Sequence, residues 1–172
     1  MKNELTVSEQ LRNHISTHLG KFDVRKIDAA DKKHAAVAVV IVNQQDAAGI
    51  GNIPFDPSRA DHAALILTIR ASKLKTHAGQ RAFPGGRIDT GETPGQAALR
   101  ELEEEVGLVL RPDQILGCLD DYSTRSGFVI TPVVVWAGKT GKMMANPDEV
   151  QSIHRIPVSE LLRQDAPILE SI

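Results

Sequence analysis

The stretch Arg100-Glu101-Leu102-Glu103-Glu104-Glu105-Val106-Gly107 constrains this chain more than any other. It ends the strongest helix signal in the sequence. Thr93 is placed to cap that helix, Pro94 suits its first position, and Gln96 completes a capping box. Ala98, Leu99, Leu102 and Val106 recur at helical spacing, and Gly107 suits a left-handed C-terminal stop. On such a helix Glu101, Glu104 and Glu105 stand at i, i+3 and i+4 and share one face. Like charges so spaced repel by roughly 0.2–0.5 kcal/mol per pair. They also sit at the end of the helix where its dipole disfavours anions. Stability alone would not select this arrangement. A solvated acidic face is the plain alternative; a site for a hard divalent cation, Mg²⁺ or Mn²⁺, is the functional one.

The residues before the helix favour the cation. Pro84-Gly85-Gly86 and Gly91 make a loop whose backbone can approach a ligand closely, and Glu92 closes it. The spacing runs Gly86, five residues, Glu92, seven residues, then Arg100-Glu101-Leu102-x-Glu104-Glu105-x-Gly107-Leu108. Over residues 86–108 this resembles the box of the Nudix hydrolase family. The resemblance implies an α/β/α sandwich, of α+β character, with a mixed central sheet and a catalytic loop-helix-loop. It implies hydrolysis of a nucleoside diphosphate linked to another moiety. Glu101, Glu104 and Glu105 would hold the cations, and a carbonyl of Gly85 or Gly86 could add a ligand. Glu92 and Arg100 would brace the box as an ion pair, structural or catalytic. Glu104, Glu105 and Glu149 are candidates for the base that deprotonates water; Glu105 is favoured as a ligand and the base stays open.

Upstream, Leu67-Thr68-Ile69-Arg70-Ala71 leads through Leu74, Lys75, His77, Gly79 and Gln80 to Phe83-Pro84-Gly85-Gly86. This segment resembles the coenzyme A diphosphatase branch of the family. Thr124-x-Ser126-Gly127-Phe128 with Thr131-Pro132-Val133, and Asn146-Pro147-x-Glu149-Val150 with Pro157-x-Ser159, also fit. Arg81 departs from the branch, which more often has a small apolar residue there. Arg70, Lys75, His77, Gln80, Arg81, Ser126 and Phe128 are therefore the expected substrate-binding residues. Arg70, Lys73, Lys75, His77 and Arg81 form a basic cluster beside an acidic one, suited to a substrate with a diphosphate and a separate 3′-phosphate. For Lys73 and Lys75 plain solubility explains the charge equally well, and His77 could instead pin its loop.

The rest of the chain reads as one domain, 1–172. An N-terminal helix near 7–19, capped by Thr6 with Glu9, precedes a strand at 35–42 that is apolar on both parities and so covered on both faces. Residues 43–61 read as a long loop, 63–70 as a second strand, and 115–119, 128–137 and 150–155 as further strands, with a closing helix near 158–163. Cys118 is the one cysteine, which excludes an internal disulfide, and it reads as a core residue. A net charge of −2 and six aromatic residues argue against nucleic acid as a partner. No apolar run is long enough to span a membrane, and Met1-Lys2-Asn3-Glu4 does not begin a signal peptide, so the expected location is cytoplasmic.

The expected reaction is metal-dependent hydrolysis of coenzyme A or a derivative to 3′-phospho-AMP and 4′-phosphopantetheine. Two alternatives stay open: a diphosphatase acting on ADP-ribose or another nucleoside diphosphate derivative, and a non-catalytic module that senses a nucleotide. The expected partner is thus a small nucleoside diphosphate; a homodimer is compatible with the resemblance.

Overall fold

The computed structural model describes residues 5–28, 31–44, 56–73, 78–140 and 142–165. Its axis is β1 (Lys33–Asn43), whose Val- and Ala-rich sequence suits a strand buried on both faces. Along one side runs β7 (Phe128–Gly138), parallel, in register from Lys33 opposite Phe128 to Ile41 opposite Trp136, after which a one-residue shift sets Val42 opposite Gly138. Beyond β7 lie β5 (Ile115–Cys118) and β6 (Tyr122–Ser123), both antiparallel to it.

The other side of β1 is shared. Its C-terminal end pairs with β2 (Ala63–Arg70) through Ile41–Asn43. Its N-terminal part pairs instead with β4 (Gly85–Arg87) through Ala35–Val37. The far end of β2 pairs with β3 (Arg81–Ala82). β1 and β2 thus diverge, and residues 81–87 fill the gap between them. Pro84 offers no N–H to either ladder, but its carbonyl accepts from the Ala38 N–H at 2.8 Å. The outer side of β2 carries β8 (Val150–Pro157), antiparallel. The result is one mixed sheet of eight strands among the described residues.

Strand alternation divides the side chains between two helices. Ala36, Ala38, Val40, Val42, Ala64, Ile66, Val133 and Val135 face α2 (Pro94–Val106) and are closed by its Ala97, Ala98, Leu102 and Val106. Alanines on both surfaces let the helix lie close to the sheet. On the opposite face Val39, Ile41, Val134 and Trp136 pack against Val7 and against Leu11, Ile15 and Leu19 of α1 (Glu9–Leu19). Helix, sheet, helix is the layering that the family resemblance implies.

Several local expectations need correction. The cap of α1 is Ser8, whose hydroxyl accepts from the Leu11 N–H at 3.2 Å, not Thr6. Thr6 is drawn into a bridge with His62, and Val7 donates to the Asp61 carbonyl at 2.8 Å, so the chain is still extended there. Of the loop expected at 43–61, Asn43 ends β1, Pro57–Arg59 form a 3₁₀ turn, and 45–55 lie outside the described residues. The closing helix α3 spans only Val158–Leu161. No helix among the described residues is long and apolar enough to cross a membrane.

Candidate active site

The site is assembled around the last turns of α2. The start of this helix is fixed by Thr93, whose hydroxyl accepts from the Gln96 N–H while the Gln96 side chain accepts from the Thr93 N–H. Its end is fixed by Gly107, which adopts φ +67°, a conformation costly for a residue with a Cβ. Between these points the apolar residues fix the rotation of the helix, and Glu101 and Glu105 are carried to the sheet, 8% and 3% exposed.

Arg100 ties the helix to the loop before it. Its Nε and Nη2 donate to the two carboxylate oxygens of Glu92, both at 3.0 Å, and Nη2 also reaches the Arg87 carbonyl at 2.9 Å. Its Nη1 donates to Glu101 at 2.7 Å and Glu104 at 3.3 Å. A two-pronged guanidinium–carboxylate contact fixes orientation as well as distance. The hydrogen bonds from Arg100, then that from the Asp89 N–H, hold the Glu92 carboxyl below its ordinary value.

A third carboxylate arrives from another part of the chain. The carbonyls of Glu105 and Val106, unpaired within the helix, accept the N–H groups of Asn146 and Met144, each at 3.0 Å. That docks the 144–146 segment on the helix end. The Asp148 N–H then donates to the Asn146 side chain, and the Glu149 N–H to the Asn146 carbonyl, both at 3.1 Å. The Glu149 carbonyl accepts from Ala71 at 2.8 Å, which anchors the turn to the end of β2. In consequence Glu101, Glu105 and Glu149 each present an oxygen within 4.8 Å of the others. Glu104 is not in this group; its side chain is 50% exposed and leans on Arg100.

The glycines of β4 make room for this cluster. A Cβ on Gly86 would lie 2.1 Å from the Glu101 carboxylate, and the Gly85 N–H donates to Glu105 Oε2 at 3.2 Å. Gly85 thus meets the cluster through its N–H. Burial, followed by the charges of Glu101 and Glu149, pushes the Glu105 carboxyl up to about 7 against the lowering effect of the Gly85 N–H. Burial likewise raises Glu101, against the opposing pull of Arg100. Two buried carboxylates and a third beside them, with Arg70 Nη1 at 3.9 Å as the cation facing Glu105, make a site short of positive charge. Three oxygen donors of this kind fit a hard divalent cation such as Mg²⁺ or Mn²⁺.

The expected substrate residues fall into two places. Arg70 ends β2 beside the carboxylates, and its backbone is paired with Gln80 and Gly79, each at 3.0 Å. Arg81 is exposed on β3, one residue further. Lys75 and His77 lie outside the described residues. Lys73 pairs with Asp148 on the surface. Ser126, in the turn before β7, and Phe128, its first residue, lie elsewhere. Ser126 shares a hydrogen bond with Thr124 at 3.0 Å. Phe128 is paired with Lys33 and, by strand alternation, faces away from α2. The cations of Lys33 and Arg87 lie 5.9 and 5.5 Å from the centre of its ring. Sequence reasoning did not single out these two; nothing local in sequence brings residues 33, 87 and 128 together.

A model of the NUDIX domain matches residues 32–171. The uncharacterized Nudix hydrolase NudL of Citrobacter koseri is 40% identical over 106 residues, which cover 61% of this chain and 55% of that protein. The protein of the same name from Klebsiella pneumoniae strain 342 is 38% identical over 136 residues, 78% of this chain and 62% of that one. The chain therefore spans a little over half the length of these curated relatives. Among solved structures, a MutT/nudix family protein of Enterococcus faecalis superposes with a TM-score of 0.57 at 17% identity, covering 86% of this chain and 55% of that one, a likeness of fold.

Proposed function

The chain belongs to the Nudix family, and from that premise we propose that it is a divalent-cation-dependent diphosphatase acting on coenzyme A or one of its derivatives. The observation that carries the reading is the convergence of Glu101, Glu105 and Glu149 within 4.8 Å beside Arg70. Clustered carboxylates with an adjacent guanidinium suit a dianionic linkage that bridges a metal and a basic side chain. The choice of coenzyme A rests on the Leu67–Gly86 segment and its likeness to the coenzyme A branch. Its support is that Arg70, Gly79 and Gln80 of that segment are tied together at the edge of the carboxylate cluster.

In this reading Glu101, Glu105 and Glu149 hold the cation. When bound, the cation lowers the pKa of an attacking water and neutralises charge on the diphosphate. Glu92 and Arg100 hold α2 and the loop before it in register, so that the carboxylates keep their spacing. Arg70 takes a phosphate oxygen, with Gln80, Arg81, Lys75 and His77 along the same segment. Glu104, outside the cation-holding group, and Glu149, through the carboxylate oxygen it does not give to the cation, are the two candidates for general base. Glu104 is the more accessible to water and Glu149 the closer to the other carboxylates. Protein groups here mainly position the reactants and balance charge, which is what transfer at phosphorus asks of them.

The test is product analysis with coenzyme A and ADP-ribose, each incubated with the purified chain and Mn²⁺ or Mg²⁺. The reading expects 3′-phospho-AMP and 4′-phosphopantetheine from coenzyme A and little turnover of ADP-ribose. Turnover of ADP-ribose without cleavage of coenzyme A would retain the chemistry and overturn the substrate.

A further inference from the structure

Arg70 is held by its backbone rather than by its own side chain. As the last residue of β2 it donates its N–H to the Gln80 carbonyl and accepts the Gly79 N–H, both at 3.0 Å. The next residue, Ala71, donates to the Glu149 carbonyl at 2.8 Å. The guanidinium is thereby delivered to the carboxylates, yet it bonds poorly there. Nη1 stands 3.9 Å from Glu105 Oε1, and Nε is buried without a hydrogen-bond partner. Glu105 offers its other oxygen to the Gly85 N–H instead. A buried N–H left unpaired is unfavourable, so the arrangement is not one that stability alone would select.

What remains is the charge. A fixed positive charge this close to a buried carboxylate opposes any second cation on the same oxygens, and burial strengthens the effect. A phosphate oxygen arriving at the site would pair with Arg70, fill the vacant bond of its Nε and remove that opposition. Resting on the reading that Glu101, Glu105 and Glu149 hold a divalent cation, we propose that Arg70 weakens cation binding in the free protein and couples it to the binding of a diphosphate anion.

The experiment is titration of the metal-stripped full chain with Mn²⁺, followed by electron paramagnetic resonance of free Mn²⁺. It is run alone and with methylenediphosphonate, corrected for Mn²⁺ held by that anion in solution. Arg70→Met is expected to bind Mn²⁺ about tenfold more tightly than the wild type without the anion, the effect of one removed charge at this range. The anion should tighten Mn²⁺ binding in the wild type and much less in the variant. Arg70→Lys keeps the charge and should stay within about threefold of the wild type. A residue with a merely structural role would weaken Mn²⁺ binding when replaced. Arg70→Met binding Mn²⁺ no more tightly than the wild type overturns the proposal while leaving the carboxylate site intact. Should Arg70→Met fail to fold, Arg70→Gln removes the same charge with a polar side chain, and the same tightening is required of it. Glu105→Gln binding Mn²⁺ as tightly as the wild type would instead overturn the carboxylate site itself.

Discussion

In the proposed reading, Glu105 concentrates the chemistry of the site in one side chain. Its replacement by Gln should cut turnover at least ~10²-fold, the low end for loss of such a carboxylate, and a steady-state rate close to that of the wild type would remove it from the site. The same residue sets a pH dependence. Its carboxyl lies at about 7 in the folded protein against an ordinary 4.5, so the protonated form is favoured by folding. The stabilisation is full below about 4.5 and is lost as pH rises through about 7, a change on the order of 3 kcal/mol. Urea unfolding of metal-stripped protein should show this decline, Glu105→Gln should lack most of it with the smaller part from Glu101 remaining, and saturating Mn²⁺ should remove it. Gly86→Ala makes a different point. The atoms nearest the added methyl are those of the Glu101 carboxylate, the first at 2.1 Å, at the end of a side chain rather than in backbone. The variant should fold, and should bind Mn²⁺ at least about tenfold more weakly, since carboxylate spacing decides affinity. Calorimetric titration would show it. At this scale the sequence announced Glu101 and Glu105 through their helical spacing. It could not show that Arg70 faces Glu105, because that contact depends on how far β2 runs before its end.

The helix α2 is the element whose limits were most legible. Thr93, Pro94, Gln96 and Gly107 act on their own neighbours, and the helix starts and stops where they require. Thr93→Ala should therefore cost about 1 kcal/mol by denaturant unfolding, with Mn²⁺ affinity nearly unchanged. A comparable loss in Mn²⁺ affinity would mean that the cap positions the carboxylates directly. The N-terminal helix was less legible for a reason of the same kind. Thr6 and Ser8 both have hydroxyls able to cap, and the choice between them is made by His62, far along the chain, which holds Thr6 in a bridge. The short strands β3, β4 and β6 carry too few residues for a period to register. They exist because partners elsewhere in the sheet offer them a ladder.

Across the whole molecule, the divergence of β1 and β2 is what creates the site. The gap admits residues 81–87, brings Gly85 and Gly86 under α2, and leaves the end of β2 free to carry Arg70 and to receive the Glu149 turn. A mixed sheet with a doubly covered central strand was legible from the doubly apolar β1 and the helices at either end, and the three-layer sandwich was what the family resemblance of residues 86–108 implied. The splay was not, since it arises from strand pairings that no single segment encodes. Leu102, fully buried between α2 and the sheet, carries both the fold and the register of the acidic residues beside it. Leu102→Ala should cost about 2–5 kcal/mol and lower the thermal midpoint accordingly. The central claim is that the three converging carboxylates carry a metal-dependent hydrolysis. Its most direct test is the rate of 3′-phospho-AMP release from coenzyme A as Mn²⁺ is titrated into metal-stripped wild type and Glu105→Gln. The account predicts a saturable, chelator-reversible rate in the wild type and its near-complete loss in the variant. Release that persists in excess chelator, or that survives the substitution, would contradict it.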